Sequence, residues 1–106
     1  MNQFTHNLYT ILDKSANHFH IQLADASHPL FQAHFENNPI LPAFSQLDIL
    51  QELIKKEIVQ IKKTKFKDVI KPLDIITFII KEDASKLNAK IQKNEKTVSE
   101  MSLEVR

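Results

Sequence analysis

The spacing of apolar residues changes period along the chain, and each change marks an element. Residues 8–12 (LYTIL) are short and mostly apolar and predict a strand. Residues 19–25 (FHIQLAD) set Phe19, Ile21 and Leu23 on one face and His20 and Gln22 on the other. That period of two belongs to a half-buried strand. Residues 26–42 hold three prolines and an Asn-Asn pair and read as irregular chain with turns. Beyond them Phe44, Leu47, Leu50 (or Ile49), Leu53, Ile54, Ile58 and Ile61 recur at spacings of three and four. This predicts a long amphipathic helix over residues 43–60. Pro42 stands where the fixed φ of proline suits a helix start. The lysines gather toward its C-terminal end, where the dipole favours cations.

Sheet is predicted for the remainder. Residues 65–70 (KFKDVI) precede a turn over 71–74 that contains Pro72. Residues 75–81 (IITFIIK) are β-branched and almost continuously apolar, which predicts a central strand buried on both faces. Leu87, Ala89 and Ile91 alternate with Asn88, Lys90 and Gln92, and Met101, Leu103 and Val105 alternate with Ser102 and Glu104. The order is strand, irregular segment, long helix, then three or four antiparallel strands. That order is α+β, with one helix on one face of a sheet. The chain shows no repeat, low-complexity segment or linker, so residues 1–106 read as a single domain.

Composition removes several kinds of chemistry. The chain has no glycine where about 7% is usual, and no cysteine. Walker loops, G-x-G-x-x-G turns and nucleophile elbows all need glycine backbone and are excluded. Disulfides, thiolate metal sites and cysteine nucleophiles are excluded as well. Net charge is +1, unevenly spread: residues 55–71 carry +5 and the rest −4. Such a stretch is either a solvated helix end or a landing patch for an acidic partner. It holds no arginine and one aromatic, Phe66, so nucleic acid is a poor candidate. The longest apolar run is six residues against the roughly twenty of a membrane helix, and the first residues lack the pattern of a signal peptide. A cytoplasmic protein without a membrane role is expected.

Among the histidines, His6, His18 and His20 have no acid at ligand-like spacing and read as surface residues, and His28, before Pro29, reads as a solvated loop residue. No H-x-x-x-H pair lies on the helix, so neither metal nor other cofactor is expected. His34 differs in its setting among Phe31, Phe35, Ile40 and Leu41, just ahead of the helix. Fourteen residues on, Asp48 falls within the apolar first two turns, with Phe44 and Leu47 beside it. A carboxylate there is either exposed on the flank or buried for a purpose.

The stretch from Leu30 to Leu50, LFQAHFENNPILPAFSQLDIL, resembles the signature of hotdog-fold 3-hydroxyacyl-(acyl carrier protein) dehydratases of the FabA/FabZ type. That signature runs F-x-G-H-F-P-x-x-P-[IV]-[LFM]-P-G, followed by an apolar helix bearing an acid. His34-Phe35, Pro39-Ile40-Leu41-Pro42 and Asp48 match it in register. Residues 62–74, KKTKFKDVIKPLD, are similar to the family's K-x-x-K-F-x-x-P-V-x-P-G-D turn. An aspartate after P-I-L-P and Q-L is similar to the small ApeI-like members.

The resemblance implies a hotdog fold, a long central helix wrapped by a curved antiparallel sheet. It also implies a homodimer, with or without further association, whose two sites each face His34 of one chain toward Asp48 of the other. His34 would take the C2 proton of a 3-hydroxyacyl thioester. Asp48, with its pKa raised by an apolar setting, would protonate the leaving hydroxyl. The Ala43 amide at the helix start would stabilise the enolate oxygen. Phe31, Phe35, Leu41, Phe44 and Leu47 would line the acyl tunnel. Lys62, Lys63, Lys65 and Lys67 would meet an acidic acyl carrier protein, with a CoA thioester as the other form of substrate. Four motif glycines are replaced, by Ala33, Asn37, Ala43 and Leu73, and Glu36 stands in place of a proline. Two rival readings keep the fold: a thioesterase in which Asp48 activates water, and a non-catalytic module binding acyl chains or the carrier protein.

Overall fold

The computed structural model describes residues 5–35 and 37–106. The first four residues, read above for a leader, and Glu36 lie outside them. The elements run β1 (Tyr9–Lys14), β2 (His18–Leu23), α1 (Pro29–Ala33), α2 (Ala43–Ile54), β3 (Ile58–Phe66), β4 (Ile75–Asp83), β5 (Lys86–Lys93) and β6 (Lys96–Val105). The six strands form one sheet in the order β1-β2-β4-β5-β6-β3, with every neighbouring pair antiparallel. Register shifts in β1, β3 and at Ile91/Gln92 bend the sheet, as bulges do. The α+β expectation and its single wrapped helix hold.

The inner face of the sheet and α2 form one core. Ile49, Leu50 and Leu53 of α2 are buried against Ile76, Phe78 and Ile91 among others. Each such side chain contributes about 1.5–3 kcal/mol on leaving water. A polar bond crosses this core: Ser99 Oγ donates to Gln46 Oε1 at 2.7 Å. β4 corrects the expectation of a strand buried on both faces. Ile76, Phe78 and Ile80 are buried, while Ile75 is exposed and Thr77 and Ile79 are half-buried.

The helix ends six residues earlier than its periodicity predicts. Lys55 turns left-handed, with φ 57° and ψ 39°, and its amide closes the helix on the Gln51 carbonyl at 2.9 Å. The Gln51 side chain then accepts the Ile58 amide at 2.8 Å, starting β3. The misleading period has a physical cause. Two bulges in β3 place Ile58, Ile61 and Thr64 opposite Val105, Leu103 and Met101. Positions in line with the buried residues of β6 therefore recur every three residues along β3 and imitate a helical stripe, although Ile61 and Thr64 are themselves exposed on this edge. The same correction moves the lysine run from a helix end to an edge strand.

The turn over 71–74 forms as expected. The Asp74 amide donates to the Lys71 carbonyl at 3.2 Å, and Asp74 Oδ2 accepts the Lys71 amide at 2.7 Å and pairs with Lys93 at 2.7 Å. Residues 26–42 are not wholly irregular, because α1 forms within them.

Candidate functional site

The site is built where α1 ends and α2 begins. α1 has only five residues and depends on its caps. Pro29 occupies the first helical position and His28 is the N-cap. The Leu30 amide donates to His28 Nδ1 at 3.0 Å, and His28 Nε2 lies 2.7 Å from the His6 carbonyl. His28 is therefore a buried cap, not a solvated loop residue. At the other end His34 is the C-cap, its amide donating to the Phe31 carbonyl at 3.3 Å. His34 Nδ1 lies 3.1 Å from the Leu30 carbonyl. A carbonyl only accepts, so Nδ1 carries the proton and Nε2 is the basic nitrogen.

The chain then reverses. The His34–Phe35 peptide is cis, the Ile40 amide donates to the His34 carbonyl at 2.9 Å, and the Leu41 amide donates to the Ile70 carbonyl at 2.7 Å. Phe35 and Phe44 pack edge-on against the His34 ring, with centroids 5.8 and 5.6 Å away. Both phenyl rings are otherwise exposed, at 57% and 47%. His34 itself is half-buried.

α2 starts without a side-chain cap, and the Pro42 carbonyl accepts the Ser45 and Gln46 amides at 3.1 and 3.2 Å. The Ala43 and Phe44 amides precede that ladder and have no backbone acceptor among the described residues. They supply the donors and positive dipole end that a developing oxyanion requires. A cavity of about 340 Å³ opens beside them, lined by Leu41, Ala43 and Gln46, with Phe66, Lys67 and Val69 opposite. His34, Phe44 and Asp48 do not line it. Asp48 is half-buried on α2, one turn beyond Phe44. Leu47 packs on the core edge, and Phe31 and Leu41 are buried in it. The chain thus joins His34 to Phe35 and Phe44, and groups Leu41 and Ala43 around a separate hollow.

Three of the four motif lysines gather on the outer face of the sheet. Lys63 and Lys65 stand opposite Ser102 and Glu100, and Lys90 of β5 flanks Glu100 from the other side. Lys67 bonds to Glu100 at 3.0 Å. That bond, followed by the nearby charges of Lys67, Lys90 and Lys65, holds the Glu100 carboxyl below the usual carboxylate range. Lys63, Lys65 and Lys90 line a hollow of about 280 Å³ with Asn88 and Ser102. Lys62 falls in a bulge and has no cross-strand partner in the register. Lys90 was not singled out from the sequence, although its outward phase in the Leu87–Ile91 alternation marks it. His28 was also missed, because its partner carbonyl lies 22 residues away. Among the described residues no three His, Asp or Glu side chains are placed to hold a metal ion, and no helix is long and apolar enough to cross a membrane.

A helix of this length cradled by a six-stranded antiparallel sheet in this order is the hotdog fold. The ApeI-like family, described as ApeI dehydratase, matches residues 12–102, and the chain belongs to that family. The dehydratase heterocomplex ApeI:P from Xenorhabdus doucetiae aligns with a TM-score of 0.73 at 18% identity, covering 92% of this chain and 96% of that one. An uncharacterized protein from Erwinia carotovora subsp. atroseptica aligns at 0.63 and 19% identity, covering 92% and 91%. A protein from Helicobacter felis aligns at 0.62 and 12% identity, covering 95% and 88%. No curated protein sequence matches the chain significantly.

Proposed function

We propose that the chain is a dehydratase converting 3-hydroxyacyl thioesters to trans-2-enoyl thioesters, in fatty-acid or related acyl-chain synthesis in the cytoplasm. The whole of residues 1–106 is read as one hotdog domain that works without a cofactor. The observation that carries this reading is the His34 imidazole, whose Nδ1 is committed to the Leu30 carbonyl at 3.1 Å so that Nε2 is basic. Nε2 takes the C2 proton, and the electron pair of that bond forms the C2=C3 double bond. The C3–O bond breaks, and the oxygen leaves as water with a proton from Asp48. The Ala43 amide holds the thioester oxygen as negative charge develops on it. Phe35 and Phe44 keep water from the reacting carbons.

Asp48 is assigned to a second copy of the chain. β3 is an edge strand, exposed over eight of its nine residues, and it carries Val59, Ile61 and Phe66 to solvent. Edges of this kind are normally covered or paired. The ApeI of Xenorhabdus doucetiae is part of a heterocomplex. A different protein subunit on this edge is therefore the second reading of the partner, and the mass of the purified chain in solution separates the two. An acidic acyl carrier protein is assigned to the lysine face, with a CoA thioester as its alternative.

The test is formation of the conjugated enoyl thioester from 3-hydroxyacyl thioesters of graded length, followed by ultraviolet absorbance. His34→Ala and Asp48→Asn should each lose about 10²–10⁴-fold in rate while the chain remains folded. A wild-type chain inactive on every length overturns the proposal. Release of free thiol that depends on Asp48 but not His34 would assign thioester hydrolysis instead.

A further inference from the structure

Two histidines, His28 and His34, hold the two ends of α1 and share one residue between them. Leu30 donates its amide to His28 Nδ1 at 3.0 Å, and its carbonyl faces His34 Nδ1 at 3.1 Å. The partners fix the protons. His34 carries hydrogen on Nδ1, whereas His28 carries it on Nε2, toward the His6 carbonyl at 2.7 Å, and keeps Nδ1 bare. His28 is 7% exposed and packs edge-on against Phe31 at 6.4 Å. A helix of five residues cannot sustain itself, since one turn of ladder does not repay the cost of nucleation. The direction of the Leu30 carbonyl therefore depends on what grips the Leu30 amide.

We propose that His28 is a positioning residue for His34. It caps α1 through the Leu30 amide and ties that cap to the N-terminal segment through the His6 carbonyl. The Leu30 carbonyl is thereby aimed at His34 Nδ1, which sets both the tautomer and the direction of the basic Nε2. The proposal rests on His34 being the base only for its kinetic consequence. The tautomer is a property of the chain alone.

The experiment compares wild type, His28→Ala and His28→Asn, each labelled with 15N-histidine. Long-range proton–nitrogen correlations in the ring report which nitrogen of His34 is protonated. Asparagine caps helices well but is too short to span to His6. The wild type should show His34 protonated at Nδ1. His28→Ala should show a mixture, with kcat lower by about tenfold or more and KM within about twofold. His28→Asn should restore both. Should His28→Ala not fold, His28→Gly replaces it, because glycine costs an N-cap little while offering no side-chain acceptor. An unchanged His34 tautomer in the alanine or glycine variant overturns the proposal, as does a mixture that persists in His28→Asn. A wild type with no turnover but a tautomer that shifts on loss of His28 would refute the dehydratase reading and leave the positioning role standing.

Discussion

The ring of Phe44 meets the ring of His34 edge to face, with centroids 5.6 Å apart and planes at 72°. Phe44 leaves the second position of α2 and is 47% exposed, so little of the core depends on it. Contacts of this geometry contribute about 0.5–1.5 kcal/mol. Phe44→Ala should therefore lower thermal stability by less than about 1.5 kcal/mol. Its effect on turnover should be larger, about tenfold, because one wall of the imidazole is removed. Melting curves and kcat on a 3-hydroxyacyl thioester measure both. Equal kcat in variant and wild type would place Phe44 outside the site.

What the sequence revealed about this region, and what it hid, follows from the range of each interaction. His34, Pro42 and Asp48 stand in one contiguous stretch, so its resemblance to the dehydratase signature could single them out as candidates. The end of α2 could not be located, because a strand with two bulges meets the buried residues of its neighbour at every third position, as Ile58, Ile61 and Thr64 do opposite Val105, Leu103 and Met101. Local periodicity carries no signal for a register shift that only the partner strand β6 defines. His28 was hidden for a related reason. A histidine before proline looks like loop, and its burial comes from His6 and Phe31, one distant in sequence and one on the far side of the cap.

Tyr9 links the edge of the sheet to the helix, its hydroxyl donating to Glu52 Oε1 at 2.8 Å while Thr5 Oγ1 donates to Oε2 at 2.5 Å. Burial, then the Glu52 hydrogen bond and charge, hold the Tyr9 phenol above its usual range. Its folded pKa is raised, so its contribution to stability is complete below the unfolded value of about 10 and is lost as pH climbs beyond it. Tyr9→Phe should cost about 0.5–1.5 kcal/mol near neutral pH. It should also flatten the fall of stability above about pH 10 relative to wild type. Urea unfolding at a series of alkaline pH values gives the difference directly. Parallel curves for the two proteins would mean that Tyr9 ionises as readily folded as unfolded.

The lysine face makes a separable prediction about substrate form. Lys65 stands opposite Glu100 on the outer face, and Lys63 and Lys90 complete the hollow. Lys65→Glu should raise KM for a carrier-protein thioester by about tenfold, equivalent to about 1.4 kcal/mol. The same variant should leave KM for a small pantetheine thioester within about twofold. Added salt should weaken the carrier-bound substrate alone, as screening of surface charge requires. Equal sensitivity of both substrates to Lys65→Glu would assign the lysines to the acyl site rather than to a protein partner.

The lack of glycine has a direct structural consequence. Six described non-glycine residues hold positive φ: Asn7, Lys55, Leu73, Ala84, Asn94 and Glu95. Asn94 and Glu95, at 53° and 65°, form the two-residue loop between the paired Lys93 and Lys96. Loops with positive φ at both positions favour asparagine followed by glycine. Leu73, at 68°, is one of four positions where the dehydratase signature has glycine. Left-handed backbone is unfavourable for a side chain bearing Cβ, whereas glycine adopts it freely. Glycine also gains entropy when unfolded, which offsets part of the benefit. Glu95→Gly and Leu73→Gly should each stabilise the chain by about 0.5–1 kcal/mol. That corresponds to a rise of about 2–8 °C in melting temperature for a domain near this size. Ala33→Gly, at the helical last residue of α1, should do the reverse by a similar amount. Thermal melts of the three variants decide the matter. If Leu73→Gly and Ala33→Gly shift melting in the same direction, backbone conformation is not what distinguishes these motif positions.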